Sequence, residues 1–137
     1  MGSRDFDAFP SLDGIRVLLV EDETDARELM EVVLQYADGE VVSVGSADAA
    51  LEALETARPD VLLVDIVMPG RDGYWLLDQV RALEGPARAL PAIAVTARIR
   101  IHDKARAMGA GFQGYLTKPV DPLQLCRLIR DLAGRSA

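Results

Sequence analysis

The 137-residue chain alternates short apolar runs with stretches whose apolar residues recur at helical spacing, and it does so five times. The apolar runs are predicted to be strands, and they cover residues 16–20, 40–44, 60–64, 92–95 and 112–116. Because these strands are apolar on both faces, helices should cover both sides of the sheet. The pattern predicts a doubly wound α/β fold, in which five helices pack on a five-stranded parallel sheet.

Two of the predicted helices begin with clear capping signals. Ser46 precedes the second helical stretch, and Asp121 with Pro122 begins the fifth, as expected for an N-cap and a first helical position. The fourth helix is less regular, because residues 96–103 alternate apolar and polar side chains as a strand would. We predict a helix there from the spacing of three apolar residues: Ile101, Ala105 and Met108.

The length fits a single domain, which we place at residues 14–134. Residues 1–13 are polar and contain Pro10, so we expect a flexible tail or linker remnant there, with a short C-terminal tail at residues 135–137. No apolar run approaches the roughly 20 residues that span a bilayer, so we expect a cytoplasmic protein without direct membrane contact. The only cysteine, Cys126, lies in a helical pattern and is interpreted as a packing residue.

The charge of the chain excludes one class of partner. A formal net charge of -7 leaves no basic face for a phosphate backbone, so no direct contact with nucleic acid is expected. Among the 15 basic residues only Lys104 and Lys118 are lysines. A lysine in a special position is therefore more informative here than an arginine.

Polar side chains follow the predicted strands at the points where the strands end. Glu21 and Asp22 follow the first strand, and Asp65 follows the third. Thr96 follows the fourth strand, and Lys118 lies just beyond the fifth. Ligands of doubly wound sheets bind at this edge, so we expect these side chains to lie together. Three carboxylates in one place repel each other, and Mg²⁺ with its preference for oxygen ligands is the cation expected to neutralise them.

Asp65 interrupts an apolar run, "VLLVDIVMPG", in which an unpaired carboxylate would be costly to bury. A carboxylate can attack phosphorus and form an aspartyl phosphate. The hydroxyl of Thr96, the ammonium of Lys118 and a magnesium ion could surround the oxygens of a phosphoryl group during such a transfer. We therefore predict that Asp65 is the residue that becomes phosphorylated.

Together these features resemble the receiver domain of bacterial two-component response regulators. The resemblance is carried by the paired acids, by "LLVDIVMPGRDGY", by Thr96 and by "GYLTKP", and it extends over residues 15–133. It implies that Asp65 accepts phosphate from a histidine kinase or phosphotransfer protein, and that Thr96 and Lys118 contact the phosphoryl group. It implies a cis peptide at Lys118-Pro119. The implied magnesium ligands are the carboxylates of Glu21, Asp22 and Asp65 and the backbone carbonyl of Val67.

The same resemblance assigns switching and rate-tuning residues. Thr96 and Tyr115 match the threonine and the aromatic residue that turn toward the phosphate, although a strand tyrosine is also a common packing residue. Val67 and Arg98 match positions that tune the loss of phosphate. An apolar Val67 cannot orient an attacking water, so slow self-dephosphorylation is expected. The face formed by the fourth helix, fifth strand and fifth helix should then change its affinity for a downstream protein.

Other residues near the predicted site have simpler interpretations. Asp25 is expected to be a helix-start acid and Asp72 a turn residue. Gly70 and Gly73 should serve the geometry of the turn that follows the third strand. The only histidine, His102, is expected on the surface.

Three alternative functions fit the sequence less well. A flavodoxin-like electron carrier needs a phosphate loop rich in Ser, Thr and Gly, whereas "EDETD" would repel a flavin phosphate. An aspartate-nucleophile phosphatase carries a second acid where Val67 stands, so a turnover enzyme is not expected beyond self-phosphorylation and self-dephosphorylation at Asp65. A degenerate receiver that only binds proteins would lack an acid, the threonine or the lysine. The chain is expected to be a stand-alone regulator or the C-terminal receiver of a hybrid histidine kinase.

Overall fold

The computed structural model describes residues 9–97 and 103–134. In these residues the strands are β1 (Arg16–Val20), β2 (Glu40–Val44), β3 (Val61–Asp65), β4 (Ala92–Thr96) and β5 (Gly114–Thr117). The helices are α1 (Thr24–Tyr36), α2 (Ala47–Ala57), α3 (Gly73–Arg81), α4 (Asp103–Ala110) and α5 (Pro122–Ala133). A short 3-10 helix, Pro86–Ala89, precedes β4.

The sheet is parallel, and its strands lie in the order β2-β1-β3-β4-β5. The chain proceeds from β1 outward to β2 and then crosses back to β3, so the strand order reverses between β1 and β3. The carboxyl ends of these two strands are level, because Val20 pairs with Val64. This architecture confirms the predicted doubly wound fold and places the ends of β1 and β3 at its switch point, where such folds bind ligands.

Apolar side chains from the two faces of the sheet enter two separate cores. Leu18 of β1 and Leu62 of β3 pack on one side with α2, α3 and Ala107 of α4, while Val17 and Leu63 pack on the other side with α1 and α5. Every residue of β3 and β4 is buried. The central strands are thus covered on both faces, as their continuous apolar runs predict.

The predicted helix caps are confirmed. The hydroxyl of Ser46 accepts a hydrogen bond from the backbone N–H of Ala49 at 3.1 Å, at the start of α2. The carboxylate of Asp121 accepts one from Leu123 N–H at 2.9 Å, and Pro122 is the first residue of α5. Each cap supplies a partner for a backbone N–H that the first helical turn leaves unpaired.

The N-terminal segment differs from the expected flexible tail, because Pro10 and Leu12 are both buried. Leu12, which the sequence analysis assigns to the tail, is fully buried, and its N–H donates to the carbonyl of Ala37 at 2.7 Å. A single apolar residue in a polar segment carries no periodic signal, so the pattern could not reveal this contact. The boundary drawn at residue 14 therefore lies inside the packed structure.

The fourth helix and the fifth strand also differ in detail. The described part of α4 begins at Asp103, and its buried residue is Ala107, whereas the expected core residue Met108 is 43% exposed. The fifth strand begins at Gly114 and not at Phe112. Residues 98–102 lie outside the described residues, and with them the predictions for Arg98, Ile101 and His102.

Cys126 is fully buried on the inner side of α5, in agreement with its interpretation as a packing residue. Among the described helices, none combines the length and the apolar character needed to cross a membrane.

Candidate functional site

Three carboxylates converge where β1 and β3 end. Glu21, Asp22 and Asp65 each present an oxygen within 4.8 Å of the others. Glu21 and Asp65 are only 2% and 7% exposed, whereas Asp22 is exposed. Strand order and register bring these residues together, since Glu21 directly follows β1 and Asp65 is the last residue of its neighbour β3.

Lys118 forms ion pairs with the two buried carboxylates. Its ammonium Nζ lies 2.5 Å from Glu21 Oε1 and 3.1 Å from Asp65 Oδ2. Burial lowers the pKa of Lys118, but the hydrogen bonds and the charges of Glu21 and Asp65 together raise it by more, so the pKa lies above its ordinary value. The Lys118 side chain is therefore a cation at neutral pH, held between Glu21 and Asp65.

The loop that carries Lys118 is fixed to β4. The backbone N–H of Lys118 donates to the carbonyl of Thr96 at 2.9 Å, and the Lys118-Pro119 peptide bond is cis, as the resemblance implies. Because β4 and β5 are paired up to Thr96 and Thr117, the lysine leaves the sheet beside the threonine. The two side chains that the sequence analysis assigns to the phosphoryl group therefore come from adjacent strand ends.

Both oxygens of Asp65 have hydrogen-bond donors. Oδ1 accepts the backbone N–H of Val67 at 2.9 Å, and Oδ2 accepts Lys118 Nζ. The backbone N–H of Ile66 donates to Val95 at 3.0 Å and ties this segment to β4. Val67 itself is 42% exposed to solvent.

The turn after β3 is shaped by the residues assigned to it. Gly70 has a left-handed backbone with φ of +75°, which favours glycine. A Cβ on Gly73 would come within 2.7 Å of the Cα of Ile66, so only glycine lets α3 begin this close to β3. Asp72 is the N-cap of α3, and its carboxylate accepts from Trp75 N–H at 3.0 Å. Asp72 is therefore a helix cap and not the turn residue that was predicted. The sequence does not separate these two roles, because a carboxylate suits both.

Thr96 and Tyr115 lie on neighbouring strands beside the carboxylates. Thr96 is fully buried at the end of β4, and Tyr115 on β5 is half-buried, with burial and nearby Asp103 raising the pKa of its phenol. Thr96 borders a cavity of about 160 Å³, together with Tyr74 and Arg106. Space therefore exists next to Thr96, while Tyr115 is not among the residues that border this cavity.

Two further residues, which the sequence pattern does not single out, shape the loop after β1. Glu23 is the N-cap of α1 and accepts from Ala26 N–H at 3.0 Å. Arg27 donates from Nη1 to the carbonyl of Glu21 at 2.8 Å. Its only sequence signal is its place on the first turns of α1, six residues after Glu21, which is within reach of an arginine side chain. Asp25 lies in the first turn of α1, as expected.

The donor set fits a magnesium ion. All three side chains offer carboxylate oxygens, the ligands that Mg²⁺ prefers, and the exposed Asp22 leaves the cluster open for water ligands. The ammonium of Lys118 lies between two of the acids and already supplies one positive charge there.

The comparisons with known proteins agree with this fold. Residues 17–130 match the family model of the response regulator receiver domain. The chain belongs to this family, whose members are signalling domains of two-component systems that are phosphorylated on an aspartate.

Two curated relatives and one solved structure illustrate the similarity. The chain is 44% identical over 115 residues to a 14.6 kDa protein of the sodA1 3′ region of Leptolyngbya boryana, and the match covers 83% of this chain and 86% of that protein. It is 33% identical over 121 residues to the sensor protein GacS of Pseudomonas syringae pv. syringae, covering 87% of this chain but only 13% of GacS.

The solved structure is the receiver domain of the sensor histidine kinase PA1611 of Pseudomonas aeruginosa PAO1, which has a magnesium ion coordinated in its active-site cleft. It superimposes with a TM-score of 0.80 at 32% identity and covers 88% of this chain and 98% of the PA1611 domain.

Proposed function

We propose that this chain accepts a phosphoryl group on Asp65 from a phosphohistidine donor, in a reaction that requires Mg²⁺, and that this modification switches a protein-binding face. The observation that carries the proposal is that the Asp65 carboxylate lies together with two other carboxylates and the Lys118 ammonium at the switch point of the sheet. The magnesium ion in the PA1611 receiver domain supports the choice of metal. The donor is a histidine kinase or a phosphotransfer protein.

The transfer follows from the chemistry of the side chains. A carboxylate oxygen of Asp65 attacks the phosphorus, the bond from phosphorus to the imidazole nitrogen of the donor breaks, and its electron pair stays on that nitrogen. Lys118, whose ammonium is 3.1 Å from Asp65 Oδ2, offsets the charge of the phosphoryl oxygens, and the Thr96 hydroxyl donates a hydrogen bond to one of them. Bound Mg²⁺, held by Glu21, Asp22, Asp65 and the carbonyl of Val67, supplies further positive charge.

The output follows from the new charge. A phosphoryl group adds about -1.5 to -2 charges at neutral pH, and it draws Thr96 and then Tyr115 toward the site. The α4–β5–α5 face carries Tyr115, so its affinity for a downstream protein changes as the population shifts. We propose that the protein acts in the cytoplasm and that, apart from forming and hydrolysing its own aspartyl phosphate, it turns over no substrate.

A degenerate receiver that binds proteins without phosphorylation is the alternative. It would be favoured by the loss of an acid, the threonine or the lysine. Glu21, Asp22, Asp65, Thr96 and Lys118 are all present, which supports the phosphoacceptor.

The test is the intact mass of the protein after incubation with a small acyl phosphate, with and without Mg²⁺. The wild type should gain one phosphoryl group only when Mg²⁺ is present, and Asp65→Asn should gain none. Asp60→Asn is the matched control, because Asp60 lies immediately before β3 and its carboxylate accepts a hydrogen bond from Arg16 N–H, at the opposite end of the strand from Asp65. This control should be phosphorylated like the wild type.

A wild-type chain that gains no phosphoryl group would favour the degenerate binding module. An adduct that persists in Asp65→Asn would show that another residue is the acceptor.

A further inference from the structure

Arg27 contacts the acidic cluster from outside the set of expected ligands. Its guanidinium extends from the second turn of α1 back over the loop and donates to the backbone carbonyl of Glu21. That carbonyl is one of four polar groups of Glu21, and each has a partner. The backbone N–H donates to Val44, Oε1 accepts from Lys118, and Oε2 accepts from the N–H of Glu23.

Gly45 supplies a second, independent observation. This glycine follows β2 and does not adopt a left-handed backbone, so conformational freedom does not explain it. A Cβ at this position would lie 3.2 Å from Arg27 Nη1 and 4.0 Å from the carbonyl oxygen of Glu21. The absent side chain thus leaves room for the guanidinium where it meets the Glu21 carbonyl.

We propose that Arg27, seated over Gly45, is a positioning residue that fixes the backbone of Glu21 and thereby aims the carboxylates of Glu21 and Asp22 at the cation. The inference rests on the proposed magnesium site. Residues that orient the ligands of a metal contribute strongly to its affinity, although they never touch it. The hydrogen bond is made by a charged donor, which makes it stronger and more directional than a neutral one.

The direction in which the Mg²⁺ dissociation constant changes separates a positioning role of Arg27 from a purely electrostatic one. Removing a cation near three carboxylates would, by Coulomb attraction alone, strengthen the binding of Mg²⁺. Loss of positioning has the opposite effect, because the carboxylates no longer converge. Arg27→Met should therefore raise the Mg²⁺ dissociation constant about tenfold, whereas Arg27→Lys keeps a cationic donor and should raise it less.

The measurement is an NMR titration with MgCl2 that follows the backbone amides of Glu21 and Asp22, at a temperature where thermal unfolding shows each variant to be folded. Arg16→Met is the matched control. Arg16 also donates to a backbone carbonyl at 2.8 Å, that of Ala57, but it does so at the opposite end of β1. It removes the same charge from the chain and should leave the dissociation constant unchanged.

Gly45→Ala provides a further variant that keeps the arginine and displaces its guanidinium, and it should raise the dissociation constant by a smaller factor. An unchanged or lower dissociation constant in Arg27→Met overturns the inference, as does an equal increase in Arg16→Met. If Arg27→Met does not fold, an unchanged constant in Gly45→Ala overturns it instead. Failure of the wild type to bind Mg²⁺ would overturn the proposed metal site as well, and the two failures are thus distinguishable.

Discussion

Val67 lies two residues after Asp65, and its side chain is apolar. Its backbone N–H donates to Asp65 Oδ1 at 2.9 Å, while the residue is 42% exposed to solvent. A valine cannot hydrogen-bond a water that attacks the aspartyl phosphate. The position therefore favours a long-lived phosphorylated form.

Val67→Asn should shorten the lifetime of that form. An amide at this exposed position can orient the attacking water, and we expect the phosphate to be lost about tenfold faster or more. The measurement is the decay of the phosphorylated mass after removal of the phosphoryl donor. Val67→Leu is the control and should decay like the wild type. Equal decay rates for Val67→Asn and the wild type would contradict the assignment of Val67 as a rate-tuning residue.

Among single residues, the sequence predicts the site residues that stand at the ends of strands. Asp65 and Thr96 could be selected because each one is a polar residue at the end of an apolar run. Arg27 could not be selected, because nothing in a helical pattern separates an arginine that turns back toward a loop from one that extends into water. The roles of Arg98 and of the other residues at 98–102 stay predictions, since they lie outside the described residues.

The contact between α3 and β3 shows how one element positions the site. The helix begins at Gly73, directly over Ile66, the residue that follows Asp65. The obstacle to a side chain at this position is backbone, which cannot move aside as the end of a flexible side chain can. The start of α3 therefore packs directly against the segment that follows Asp65, because residue 73 has no side chain.

Gly73→Ala should lower the free energy of unfolding by about 2 kcal/mol, because the new methyl group forces the helix away from β3. Urea unfolding followed by circular dichroism measures the change. Gly109→Ala is the matched control, since Gly109 is also in a helix, but a Cβ there meets nothing within 4 Å. This control should be stabilised by up to about 1 kcal/mol through the higher helix propensity of alanine. Equal stability of Gly73→Ala and the wild type would contradict the close approach.

The sequence predicts which elements exist better than where they end. The alternation of "FQGYL" includes Phe112, but the strand begins two residues later, because Gly111 with φ of +110° and Phe112 still belong to the turn after α4. Phe112 is nevertheless buried in the core. Apolar patterns report burial, and a buried residue in a turn extends the apparent strand.

At the scale of the whole molecule, the acidic cluster links metal binding to stability. Glu21 and Asp65 are buried, and Lys118 is the cation that pairs with both. Removing one partner of a buried ion pair leaves an uncompensated charge, which is strongly destabilising. A bound divalent cation would supply the missing charge.

Lys118→Met should therefore lower the free energy of unfolding by about 3 kcal/mol without Mg²⁺. Saturating Mg²⁺ should restore more stability to this variant than it adds to the wild type, because the ion no longer competes with the ammonium. Urea unfolding with and without MgCl2 measures both quantities. Lys104→Met replaces the only other lysine, which is exposed on α4, and should change neither. An identical Mg²⁺ increment in Lys118→Met and the wild type would contradict this coupling.

The fold as a whole could be predicted from the sequence because parallel, doubly covered sheets require long apolar runs alternating with amphipathic helices. The strand order could not be predicted from this alternation. It is the strand order that brings Asp65 beside Glu21. The reversal between β1 and β3 places the two strand ends next to each other, although 43 residues lie between Glu21 and Asp65 in the sequence.

The burial of Cys126 has a practical consequence. Its enclosure by the inner side of α5 raises the pKa of the thiol to about 11. The thiolate is the form that attacks thiol reagents, and the raised pKa makes it scarce at neutral pH. The residue is also shielded from solvent. Because the sequence contains no second cysteine, a cysteine introduced on the surface becomes the single position at which a dye or spin label attaches, and the unaltered chain serves as the unlabelled background.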